Sequence, residues 1–178
     1  MSELKLKYNK LWIDSFDPVF ATEQSACFDL KAYFGSKCRL VDAYDKTNSH
    51  HKLSAAFERS DAPPFLIIPP NGTRVLIPTG IVLDIPRGFS VRLHARSGLA
   101  VKGGVVLANS EGVIDSDYTD HLMVAILNIS DLPIRITHGD RICQGEMIPV
   151  LQYSIEPTNE RIQPKTSRSG GFGSTGVS

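Results

Sequence analysis

Short apolar runs, cut at close intervals by glycine, proline, asparagine and aspartate, dominate this chain. "LKLKYN", "FLIIP", "TRVLIPTGIVLDIP", "FSVRLHA", "GVVLAN", "HLMVAILNIS" and "PIRITHG" are each rich in Val, Ile or Leu and bounded by turn-forming residues. Such runs are strand signals rather than helix signals. With 14 Gly and 11 Pro to turn them, many short strands and few intervening helices predict an all-β sandwich, barrel or jelly roll. A length of 178 residues allows one domain core with an elaboration.

Two segments break the pattern. Residues 35–62 turn polar, and within them "SHHKLSAAFERS" places Leu53, Ala56 and Phe57 at i, i+3, i+4 spacing before Pro63 and Pro64. That spacing predicts a short helix. The adjacent His50 and His51 have no Cys or carboxylate cluster beside them in sequence and read as solvated surface. After Tyr153 the periodicity ends, and "SIEPTNERIQPKTSRSGGFGSTGVS" reads as a mobile arm. The expected division is a β domain over residues 1–153 and an arm over residues 154–178.

Charge and cysteine usage exclude several classes. Lys and Arg total 19 and Asp and Glu total 19, a balance that argues against direct nucleic-acid binding while leaving room for a local anion site. Cys27, Cys38 and Cys143 stand at spacings that match no zinc or redox pattern and read as free thiols. No apolar run is long enough to cross a bilayer, and "MSELKLKYNK" lacks the apolar stretch of a secretory signal. A cytoplasmic protein without a membrane partner is expected.

Four segments carry residues suited to chemistry. In "HARSGLAVKGG", Arg96, Ser97 and Gly98 combine a guanidinium fork, a hydroxyl and an unobstructed backbone, which suits an oligophosphate. The same triplet also reads as a turn entering a short helix capped by Ser97. In "ANSEGVIDSDYTDHL", residues 109–112 look like a hairpin turn and "VIDSDY" like the returning strand. Asp115 and Asp117 would then share a face, as a general base beside a flat Tyr118 or as charges guarding a sheet edge. In "HGDRICQGEMIPV", Asp140 is expected to pair with Arg141, and Gln144 could offer its amide to a ligand. The end, "RSGGFGSTG", reads either as a low-complexity terminus or as a glycine-hinged cover whose Phe172 lies on a base.

Taken together the segments resemble the five ordered motifs of the trimeric deoxyuridine triphosphatase (dUTPase) family. "SACFDLKA" resembles the first, "RSGLAVKGGVVLAN" the second, "GVIDSDYTDHLMVAILN" the third, "GDRICQ" the fourth and "RSGGFGSTG" the fifth, with residues 35–62 as a 28-residue insertion. The resemblance implies a jelly-roll subunit, a homotrimer with sites at its interfaces, and hydrolysis of dUTP to dUMP and pyrophosphate with Mg2+ on the triphosphate. It implies that Asp115 is the general base and that Arg96, Ser97, Gly98 and Gln144 hold phosphates. By the same resemblance Asn109, Gly112, Val113 and Ile114 meet uracil, Tyr118 packs on deoxyribose, and Met123 touches substrate. Asp29 would orient a metal-bound water. Arg168, Phe172, Gly173, Ser174 and Thr175 would close over base and phosphates. Cys27 and Ala95 stand where the family usually has Gly and Pro, and Asp120 where it usually has Gly. The nearest rival is dCTP deaminase, which shares the fold; "VIDSDY" and "GGFGSTG" favour the hydrolase. A second rival is a binding module that docks a partner protein through residues 35–62.

Overall fold

The structure, a computed structural model, describes residues 4–35, 38–59 and 61–166. Along the chain these form β1 (Lys7–Lys10), β2 (Val19–Phe20), β3 (Phe28–Lys31), β4 (Leu40–Tyr44), β5 (His50–Ser54), β6 (Phe65–Ile68) and β7 (Arg74–Pro78). They continue with β8 (Ile81–Asp84), β9 (Phe89–Ala95), α1 (Ser97–Gly103), β10 (Val105–Leu107), β11 (Gly112–Ile114), β12 (Met123–Asn128), β13 (Ile134–Thr137) and β14 (Arg141–Pro149). One five-stranded sheet has the order β10-β12-β7-β4-β5, and the other β11-β9-β14-β3-β2. β1 pairs with β8 and β13 with β6, and every ladder is antiparallel.

Alternation along the strands explains the layering. In β12, Val124, Ile126 and Asn128 are buried while Met123, Ala125 and Leu127 are half-buried. Val75, Ile77, Val124 and Ile126 of the first sheet share one buried cluster with Leu30, Val91, Leu93 and Ile142 of the second. Both sheets therefore bury their inward faces in a common core, the sandwich arrangement of a jelly roll. Each such aliphatic side chain contributes about 1.5–3 kcal/mol of burial. Asn128, fully buried, donates through Nδ2 to the carbonyls of Ile68, Pro69 and Leu132 and accepts at Oδ1 from Ser130 N–H and Oγ–H. It satisfies backbone groups where the chain turns out of β12.

The helix expected around Leu53 is instead the strand β5. Val41 lies opposite Leu53 and Ala43 opposite His51, and β4 in turn pairs with β7 through Ala43 and Val75. Ala56 bridges Phe65, exchanging both backbone hydrogen bonds at 2.8 and 2.9 Å. Leu53, Ala56 and Phe57 thus share helical spacing by coincidence; the alternation of half-buried His51 and Leu53 with exposed His50, Lys52 and Ser54 is the pattern that the ladder uses. Val41, Ala43 and Ala55 join the core. His50 Nε2 lies 2.8 Å from Asp42 Oδ1 on the outer surface.

Two histidines secure the loops beneath the sheets. His138 Nδ1 accepts the Phe34 N–H at 2.9 Å and His121 Nε2 accepts the Gly80 N–H at 2.9 Å. Burial lowers both imidazole pKa values, opposed by Asp14 beside His138 and by Asp120 beside His121. Trp12 stacks on Tyr33 with ring centroids 4.7 Å apart, and Tyr33 Oη donates to Asp14 at 2.7 Å. Residues 151–166 are exposed and carry neither strand nor helix. No helix among the described residues is long and apolar enough to cross a membrane.

Candidate active site

On the outer face of the second sheet, Gln144 of β14 lies opposite Asp29 of β3 on one side and opposite His94 of β9 on the other. Alternation sends Leu30, Cys143 and Leu93 inward and leaves this polar row outward. Asp29 is nevertheless only 1% exposed, because two guanidinium groups cover it. Arg141 Nη1 donates to Asp29 Oδ2 at 3.0 Å, and Arg96 Nε lies 3.3 Å from Asp29 Oδ1. Arg96 also donates through Nη1 to the Arg141 carbonyl at 3.0 Å. Two cations around one carboxylate leave a surplus positive charge, with unused N–H donors, at this end of the sheet. Such a group suits an anion.

Arg96 is the N-cap of α1, with φ −81° and ψ 123°, and the helix start has no side-chain cap. Ser97 is therefore the first helical residue, not the cap expected from sequence. Ser97 and Gly98 are exposed, and a Cβ placed on Gly98 would meet nothing within 4 Å. Neither packing within the chain nor backbone strain asks for glycine there, so open space over this backbone is what the residue preserves. The helix ends at Gly104, whose left-handed φ of 63° lets its N–H reach the carbonyls of Ala100 and Leu99. The expected Asp140–Arg141 pair does not form. Asp140 Oδ2 accepts the Thr137 N–H at 2.8 Å and closes the β13–β14 turn, while the ladder carries Arg141 across to Asp29. Arg141 is the second cation of this cluster and one that the sequence did not single out as a site residue; its "GDR" turn signalled position but not partner.

A second group lies around β11. Ser110, with φ 63°, makes the turn after β10, its N–H reaching the Leu107 carbonyl at 3.2 Å while the Glu111 N–H reaches Asn109 O at 2.7 Å. This is not the hairpin expected from sequence. β10 pairs with β12 and β11 with β9, so residues 108–111 carry the chain from one sheet to the other. Gly112 presses on β9, where an added Cβ would come 2.9 Å from Leu93 Cβ. Val113 is exposed and Ile114 half-buried.

The strand stops at Ile114, which corrects the reading of Asp115 and Asp117 as neighbours on one strand face. Asp115 opens a turn closed by the Tyr118 N–H at 3.1 Å from the Asp115 carbonyl, and both carboxylates are exposed. Tyr118 is 41% exposed, and its Oη donates to the His121 carbonyl at 2.9 Å, which restrains the ring. Burial, with a smaller push from Asp120, raises the Tyr118 phenol pKa. Met123 is half-buried at the start of β12, opposite Pro78.

The two groups stand at opposite ends of β9. Ile114 lies opposite Val91, whereas Arg96 leaves the far end of the same strand. Five residues of strand separate these levels by about 17 Å. Asp29, Arg96, Ser97, Gly98, Arg141 and Gln144 therefore gather at one end, and Asp115 and Tyr118 at the other. Arg168, Phe172, Gly173, Ser174 and Thr175 lie outside the described residues.

Comparison with known proteins places this geometry. The dUTPase family model matches residues 45–176. A deoxyuridine 5'-triphosphate nucleotidohydrolase of Brucella melitensis is 44% identical over 106 residues, 60% of this chain and 67% of that protein. Among solved structures, the dUTPase of Staphylococcus bacteriophage 80alpha with dUPNHPP superposes with TM-score 0.71 at 20% identity, covering 97% of this chain and 99% of that one. A mutant dUTPase of phage phi11 of S. aureus, described with a structural Mg(II) ion, superposes with TM-score 0.64 at 17% identity, covering 90% of this chain and 100% of that one. The shared fold is the jelly roll expected from sequence, and the chain belongs to the dUTPase family, the enzymes that hydrolyse dUTP to dUMP.

Proposed function

We propose that the chain hydrolyses dUTP as a homotrimer in which each site joins the Arg96 end of one subunit to the Asp115 end of another. The separation of these two ends along β9 carries the reading, since one substrate cannot span about 17 Å between its phosphate grip and the base acting on its α-phosphorus. Asp115 takes a proton from the attacking water, the water oxygen bonds to the α-phosphorus, and pyrophosphate leaves with dUMP released. Arg96, Arg141, Ser97 and Gln144 hold the phosphates, and the bare Gly98 backbone lets them approach. The backbone from Asn109 to Ile114 meets uracil, Tyr118 packs on the sugar, and Met123 borders it. The arm, with Arg168, Phe172, Gly173, Ser174 and Thr175, closes over the nucleotide and excludes water.

Mg2+ belongs to this reading as a companion of the triphosphate. A guanidinium faces each Asp29 oxygen, so Asp29 does not fit as a direct ligand; its Oδ1, buried without a hydrogen bond, fits as acceptor for a metal-bound water. When bound, the ion neutralises phosphate oxygens.

The test is complementation. Asp115→Asn and Gln144→Ala subunits, each weakly active alone, are unfolded together and refolded as mixed trimers. Recovery of dUTP turnover supports shared sites; mixtures no better than either variant overturn them. The wild-type protein given dUTP, dTTP, dCTP and UTP releases pyrophosphate from dUTP, and ammonia release from dCTP would favour the deaminase instead.

A second role accompanies catalysis in this reading: the outer face of β5, with exposed His50 and Lys52 on an edge strand, docks a partner protein. A His50→Ala/Lys52→Ala variant that keeps turnover and loses the partner supports it.

A further inference from the structure

Cys27, His94 and Glu146 meet on the outer face of the second sheet, one row along from Asp29 and Gln144. Cys27 immediately precedes Phe28, which lies opposite Gly145, and His94 lies diagonally across from Glu146 on β9. One ligand atom from each, a sulfur, a ring nitrogen and a carboxylate oxygen, falls within 4.8 Å of the others, and all three residues are half-buried. The three cysteines match no zinc spacing in sequence because the donors come from three segments far apart in sequence, the residue before β3 and the strands β9 and β14.

Two details distinguish this cluster from an ordinary surface ion pair. His94 Nε2 lies 3.3 Å from Glu146 Oε2, yet this nitrogen is buried without a hydrogen-bond partner. Two ligands of one tetrahedral ion with bonds near 2.0–2.1 Å stand about 3.3 Å apart, the separation found here. The opposite nitrogen, His94 Nδ1, lies 3.9 Å from Glu111 Oε1, and Arg92 Nη1 holds Glu111 Oε2 at 3.3 Å. Glu111 thus stands behind the imidazole, beyond hydrogen-bond distance, on the side from which carboxylates orient metal-binding histidines.

We propose that Cys27, His94 and Glu146 form a binding site for a thiophilic divalent transition ion, zinc in the first instance, with water as the fourth ligand. Sulfur and imidazole donors select zinc-like ions over magnesium, which takes oxygen ligands. The site is therefore separate from the ion on the triphosphate and independent of the trimer reading. Binding moves the thiol proton to solvent as the Zn–S bond forms. It also ties the start of β3 to β14 and β9, next to Asp29 and Gln144 and to the end of β9 from which Arg96 leaves, so occupancy stiffens this end of the sheet.

Full-length protein stripped with chelator and titrated with Co2+, in the absence of nucleotide, tests this directly. One ion per chain binds with a thiolate-to-cobalt charge-transfer band, and Zn2+ displaces it and raises the melting temperature. Cys27→Ser removes the band, and His94→Ala and Glu146→Gln each weaken Zn2+ binding more than the ~10-fold typical of losing an outer-shell partner. Cys38→Ser leaves band and affinity unchanged. A wild-type protein without the band, or a Cys27→Ser protein that keeps it, overturns the proposal.

Discussion

Arg141 Nη1 donates to Asp29 Oδ2 at 3.0 Å across the β14–β3 ladder, and this ion pair lies almost out of solvent on its acidic side. The carboxylate holds Arg141 and Arg96 side by side against their mutual repulsion.

Asp29→Asn keeps the shape and removes the charge. Breaking a buried pair by deleting one partner costs about 3–5 kcal/mol, and the half-exposed Arg141 places this case near the low end. Urea unfolding is expected to show a loss of about 3 kcal/mol, with KM for dUTP raised because the two guanidinium groups splay.

Asp115 makes no side-chain hydrogen bond among the described residues and is exposed, so Asp115→Asn leaves the fold intact. Turnover of dUTP is expected to fall ~100- to 10,000-fold, the range assigned to a general base. Affinity for a non-hydrolysable dUTP analogue, read by calorimetry, stays within a few-fold of wild type. Wild-type turnover in this variant would remove Asp115 from the mechanism.

Acid sensitivity follows from His121 and His138. Each accepts a backbone N–H in its neutral form, and burial lowers its pKa below the ordinary 6.5. A pKa depressed by folding means stability that is complete above about pH 6.5 and lost as pH falls through the lower folded value. Thermal unfolding should therefore decline on the acid side of about pH 6.5. His138→Asn, which keeps an acceptor and cannot titrate there, should flatten part of that decline.

Asn128→Ala removes five hydrogen bonds from a residue with no exposure. An unsatisfied buried polar group costs about 1–3 kcal/mol. A loss of at least about 3 kcal/mol is expected by denaturant unfolding, since several carbonyls lose their donor together.

Residues 40–55 contribute to the core as well as to the surface. Ala43, fully buried between His51 and Val75, tolerates no charge, and Ala43→Asp should cost several kcal/mol or prevent folding. Lys52→Ala on the outer edge should stay within about 0.5 kcal/mol. Deleting residues 35–62 would uncover the edge of β7, so point variants on the outer face test docking more cleanly than a deletion.

The sequence by itself determined the fold class, the strand runs such as "FSVRLHA", and the order of motifs that marks the family, because alternation and turn chemistry are local and motif order is one-dimensional. Only the tertiary structure decided partners across space. Helical spacing at Leu53, Ala56 and Phe57 gave way to a ladder with β4, since strand pairing depends on a neighbour distant in sequence. Arg141 turned from Asp140 to Asp29, 112 residues away. The turn at Ser110 proved to cross between sheets rather than close a hairpin. The division of Arg96 and Asp115 between the two ends of β9 is likewise a matter of register, which no local pattern of residues encodes.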